Sequence, residues 1–194
     1  EILYNFTGIY CNQNITSRGI LDSDIADLEI SILKKIFKQI PHTVLFKTYP
    51  NYWNYPGIDP IIETAKKIKN IEIFNKDIDS RYIIHEFKII ITSRFTSTLG
   101  WSIMSGKPVV FLNSDLKYFC RKEVYELLKK SIIVFDKRDK NFIYKTKSFL
   151  KKSVEEIEEI YTKKSKSREE FIKKYISSHK RNAGKKISEI LINT

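Results

Sequence analysis

At 194 residues the chain has the length of one ordinary domain, and a core of that size needs neither disulfides nor a structural metal. Its 42% apolar and 30% charged content excludes a globally disordered chain, and the net charge of +12 points to anionic company: nucleotides, acidic lipid or nucleic acid. No run approaches the roughly 18 apolar residues of a membrane span, and no basic-then-apolar leader opens the chain.

"EILYNFTGIY" reads as a buried strand that runs into a loop at Thr7 and Gly8. "LDSDIADLEISILKKIFKQI" places Ile25, Leu28, Ile32, Leu33, Ile36 and Phe37 on one helical face, with Asp22 or Ser23 set to cap its start. "HTVLFKTYP" is a second strand ending at Lys47. "DPIIETAKKIKN" is a second helix with Pro60 in its first turn and Asp59 as cap. The loop between them, "NYWNYPG", offers Tyr52, Trp53 and Tyr55 for ring stacking or for packing on their own core.

"IEIF" is a third strand, "DSRYIIHEF" a short helix capped by Asp79 or Ser80, and "KIIIT" a fourth strand, apolar almost throughout as parallel strands covered on both faces are. "STLGWSIMSG" follows as a helix, "KPVVFLN" as a strand, "EVYELLKK" as a helix and "SIIVFD" as the last strand. This alternation predicts an α/β, doubly wound parallel sheet of Rossmann-like form with right-handed crossovers, followed by long C-terminal helices. The expected division is a Rossmann-like domain over 1–148 and a basic helical extension over 149–194. Lys and Arg outnumber Asp and Glu in the extension, which reads first as a solvated helical face and alternatively as a surface for anionic lipid or nucleic acid.

The stretch "TSRFTSTLGWSIMSGKPVVFLN" carries the chemistry. Thr92, Ser93, Arg94, Thr96, Ser97 and Thr98 lie where a parallel strand hands over to a helix. Ligands of open α/β sheets bind beyond that end, and a helix N-terminus there presents unpaired N–H groups and partial positive charge. Ser97, Thr98 and nearby backbone N–H groups would hold phosphate oxygens and Arg94 would add a full charge. Capping alone would account for one hydroxyl. His85 and Glu86 fall in the short helix before the fourth strand, away from the ligand loops, and read as structural. Neither a Walker loop nor GxGxxG occurs, and Cys11 and Cys120 stand apart from any CxxC or His cluster, so no metal site is expected and a reducing, cytoplasmic location is.

"STLGWSIMSGKPVVFLN" resembles the donor-pocket segment in the C-terminal domain of GT-B glycosyltransferases, where a Ser/Thr-rich loop, a helix, Gly-Lys-Pro and a strand follow one another. The forms it is most similar to are bacterial surface and capsular polysaccharide enzymes, among them Kdo-transferase-like and glycerophosphate-polymer transferases. It differs from many retaining members, which carry a ribose-binding Glu where Gly100, Trp101 and Ser102 stand, and from the glycerophosphate-polymer enzymes, which carry an Asp where Arg94 stands.

The resemblance implies transfer of a sugar from a nucleotide-activated donor in surface polysaccharide biosynthesis, with Thr7, Gly8, Lys47, Ser93, Arg94, Thr96, Ser97 and Thr98 binding substrate. It implies no metal and no cofactor beyond the nucleotide sugar, a glycan or lipid-linked acceptor, and a catalytic base in an N-terminal domain preceding Glu1. A place at the inner face of the membrane is open to the basic tail, and no specific nucleic acid is expected. Two other classes share these residues: a sugar-nucleotide epimerase using the same pocket, and a non-enzymatic basic module binding anionic lipid or nucleic acid through the tail.

Overall fold

The computed structural model of the chain describes residues 1–5, 22–48, 59–74, 76, 78–93, 95–114, 120–177 and 183–192. Its strands are β1 (Ile2–Asn5), β2 (Val44–Lys47), β3 (Ile71–Phe74), β4 (Ile89–Thr92), β5 (Val109–Asn113) and β6 (Ile133–Asp136). The helices between and after them are α1 (Asp22–Lys35), α2 (Pro60–Lys66), α3 (Ser80–Ile83), α4 (Ser97–Met104), α5 (Lys122–Ser131), α6 (Phe142–Leu150), α7 (Val154–Thr162), α8 (Ser165–Phe171) and α9 (Ala183–Ile192). Every strand pair is parallel and the order is β3-β2-β1-β4-β5-β6, so the fold is the doubly wound, Rossmann-like α/β sheet. The winding reverses between β1 and β4, which makes the carboxyl ends of those two strands the switch point of the sheet.

Register divides the side chains between two faces. Tyr4, Phe46 and Ile91 lie side by side on the face covered by α1, where the Tyr4 ring meets Phe37 edge-on at 4.7 Å. Leu3 and Ile90 lie on the other face and pack against Ile83, Ile84 and Phe87 of α3 and the turn after it. Helix α4 sits beside α3, so it covers the same face as Leu3 and Ile90.

Local chemistry sets most boundaries as the sequence suggests. Asp59 accepts hydrogen bonds from the Ile61 and Ile62 N–H groups at the start of α2, and Asp79 accepts one from Arg81 N–H at the start of α3. Gly106, at φ 77, makes the turn from α4 into β5, a left-handed conformation that other residues seldom adopt. Helix α1 differs in detail. Among the described residues it runs from Asp22, and both Asp22 and Ser23 are helical, where an acid opposes the positive end of the helix dipole. Leu28 is only half-buried, and Glu29 takes the buried place on that face.

Helices α7 and α8 dock on the sheet domain. The boundary drawn at 148/149 falls inside α6, and Ile157, Tyr161 and Phe171 belong to the main core cluster. Ser131 at the end of α5 donates to the Ser167 carbonyl, and the Arg168 guanidinium, 3.8 Å from the centre of the Tyr161 ring, donates to the Tyr161 and Ser131 carbonyls. Burial, against a smaller opposing effect of Arg168, pushes the Tyr161 phenol up to about 12. No helix among the described residues is long and apolar enough to cross a membrane.

Candidate functional site

A row of polar residues closes the carboxyl edge of the sheet. Lys47, Asn5 and Thr92 face one another in register across β2, β1 and β4, and each is more than nine-tenths buried. Sharing register with Leu3 and Ile90, they project onto the α3/α4 face. The Lys47 ammonium donates to the Thr48 carbonyl at 2.6 Å and the Lys76 carbonyl at 3.3 Å, and stands 5.3 Å from the centre of the Phe74 ring. It is thus held at the strand end and not free in solvent, with its charge drawn toward the end of β3. Asn5 is 8% exposed, and its Nδ2 has no hydrogen-bond partner among the described residues.

Helix α4 begins just beyond β4. Thr96 holds its N-cap position with extended backbone, yet the Thr96 side chain makes no capping hydrogen bond. The first turn contains no acid. Thr96 and Ser97 are exposed and Thr98 is half-buried. The first N–H groups of a helix have no partners within it, so this start presents backbone donors, hydroxyls and the positive end of the dipole together.

Ser93 is placed differently from its neighbours. It is fully buried on the α1 face, where its hydroxyl donates to Glu29 Oε1 at 3.1 Å while the Tyr4 hydroxyl donates to Glu29 Oε2 at 2.5 Å. Its carbonyl accepts from Ser114 Oγ at 2.5 Å, which ties the β4–α4 loop to the end of β5. Ser93 therefore anchors the loop that delivers α4, with its hydroxyl proton committed to Glu29.

A second polar cluster joins β5 to β6. Asp136, in register with Asn113, accepts from the Tyr125 hydroxyl at 2.6 Å, from Asn113 Nδ2 at 3.1 Å and from the Arg138 guanidinium. Burial pushes the Asp136 carboxyl up, but the hydrogen bonds from Arg138, Tyr125 and Asn113 outweigh it and hold the group well below the usual carboxylate range. Burial and the bond to Asp136 push the Tyr125 phenol well above its ordinary value.

The sequence-predicted residues thus divide. Lys47, Thr96, Ser97 and Thr98 gather at the carboxyl edge on one face of the sheet, and Ser93 turns to the other. Thr7, Gly8 and Arg94, with Tyr52, Trp53, Tyr55 and Cys11, lie outside the described residues. His85 and Glu86 are exposed in a 3-10 turn at the amino end of β4, at the opposite edge from α4's start. Burial, then the nearby Glu123, raises the half-buried Cys120 thiol. Among the described residues no three His, Cys, Asp or Glu side chains group as a metal site.

Sequence reasoning missed Asn5, Glu29, Asn113 and Asp136. Glu29 had a signal: it sits four residues after Ile25 and three before Ile32, an acid on an apolar stripe. No protein-family model matches the chain. No curated protein matches it at a significant level either. The functional reading therefore rests on the start of α4 at the sheet edge, where hydroxyls and helix N–H groups meet a first turn without acids.

Proposed function

We propose that the chain is the donor-binding half of a GT-B-type glycosyltransferase that moves a sugar from a nucleotide-activated donor onto a surface polysaccharide. The observation that carries this is the start of α4: hydroxyl-lined, uncapped by its own Thr96 and free of acids in its first turn, beside the switch point of a 3-2-1-4-5-6 sheet. Cleavage of a sugar–phosphate bond leaves growing negative charge on the departing phosphate. Preorganised donors aimed at that charge stabilise the transition state more than the ground state. The α4 backbone N–H groups and the Ser97 and Thr98 hydroxyls supply such donors, Arg94 a full charge, and Lys47 a longer-range one.

The base that deprotonates the acceptor hydroxyl belongs, in this reading, to a second domain that also binds the glycan or lipid-linked acceptor. The chain by itself binds donor and turns over little or none.

Calorimetric titration of the chain with CMP, CDP, UDP and GDP, repeated with Ser97→Ala and Arg94→Ala, tests the proposal. Binding of one nucleotide in preference to the others, weakened by both substitutions, is the expected result. A folded chain that binds none of the four removes the basis of the reading.

A further inference from the structure

We infer that Asn5 is a recognition residue for the donor's phosphoryl group, supplying the side-chain N–H that closes the crevice between β1 and β4. The inference rests on the nucleotide-donor reading above and adds to it a residue outside the hydroxyl cluster.

Three observations converge on it. Asn5 is 8% exposed and its Nδ2 finds no acceptor among the described residues. A buried donor without an acceptor is rare and destabilising, so an acceptor brought by a ligand relieves a cost already present in the fold. Second, register places Asn5 opposite Thr92 and on the face of Leu3 and Ile90, the face that α3 and α4 cover. The amide is therefore one strand spacing, about 4.8 Å, from the strand whose end leads into α4.

Third, the surroundings decide which chemistry fits. On the β2 side stands Lys47, whose ammonium leans on toward the end of β3, and on the β4 side Thr92 and the uncapped start of α4. Among the described residues the buried carboxylate close by, Glu29, is on the opposite face and accepts from Tyr4 and Ser93 there. A group made only of acceptors and carrying negative charge, the phosphoryl group of a nucleotide, matches a crevice of donors. The amide then turns its N–H to the anion, and the α4 donors take the remaining oxygens.

The test is calorimetry of the whole 194-residue chain with CMP, CDP, UDP, GDP and inorganic pyrophosphate, together with thermal melts, for the native chain, Asn5→Leu and Asn5→Asp. Leu keeps the approximate shape and removes the unpaired polar atom; Asp keeps the shape and sets a negative charge against the anion. Asn5→Leu is expected to weaken the best-bound nucleotide about tenfold or more while its melting temperature stays level or rises, and Asn5→Asp to weaken binding further. If the native chain binds a nucleotide and both variants bind it within about twofold, the role of Asn5 is overturned and the donor reading stands. If the folded native chain binds none of the probes, the donor reading fails and this inference goes with it. Should Asn5→Leu not fold, Asn5→Asp decides alone: a folded variant about tenfold weaker supports the inference, and one within about twofold overturns it.

Discussion

Substituting Tyr125 by Phe probes the cluster that pins β5 to β6. The Tyr125 ring is buried and stays in place, near Phe95 at 6.4 Å, so the change removes the hydroxyl and little else. That hydroxyl donates to Asp136 at 2.6 Å and accepts from Asn113 at 3.0 Å. A hydrogen bond to a charged group contributes about 1.5–3 kcal/mol, and Asp136 keeps its bonds from Arg138 and Asn113, so a loss of about 2 kcal/mol is expected.

For a chain of this length that corresponds to a fall in Tm of about 4–8 °C. The pH dependence follows from the direction of the shifts. A carboxyl whose folded value lies below its unfolded value contributes stability that is full above the unfolded value, near 4, and is lost as pH falls through the folded one. The gap between native and Tyr125→Phe should therefore hold from neutral pH down to about 4 and close only in stronger acid. On the alkaline side the raised Tyr125 phenol works in the opposite sense: native stability begins to fall above about pH 10, and part of that fall is absent from Tyr125→Phe. Urea denaturation across this range measures both. A difference under about 0.5 kcal/mol at pH 7, or one already gone at about pH 5.5, would refute the reasoning.

Tyr4→Phe keeps the contact with Phe37 and removes a donor to Glu29, and Ser93→Ala removes the other described one; each should cost about 1–3 kcal/mol in urea titrations. Because both hydroxyls serve one carboxylate, the double variant should depart from additivity by about 0.5 kcal/mol or more, and strict additivity would count against the shared site. Ile157→Ala, deep in the core from the C-terminal helices, should destabilise the whole chain by about 2–5 kcal/mol in a single transition. A separate, earlier transition with the sheet unaffected would show instead that the C-terminal helices fold as their own unit.

The order of elements was legible in the sequence because their signals are local. "IEIF" became β3 and "KIIIT" became β4 less its first residue, since apolar runs bounded by polar turns need no distant partner to be recognised. Asp59 and Asp79 cap because a side chain reaching the N–H groups two and three residues ahead is equally local. The hydroxyls of Thr96, Ser97 and Thr98 at a strand-to-helix junction were readable for the same reason.

Strand order was not readable, since nothing local says that β4 returns to lie beside β1, and it is that return which creates the switch point. The polar row of Lys47, Asn5 and Thr92 exists only through register between strands more than forty residues apart in sequence. Ser93, next in line to the site's hydroxyls, turns to Glu29 because alternation along an extended chain sends successive side chains to opposite faces and because α1 packs there. The sequence by itself thus determined the fold class and the strand-to-helix junction at which an anion site is proposed. Tertiary packing alone decided which polar side chains meet there, because a buried donor or acceptor finds its partner across the sheet and not along the chain.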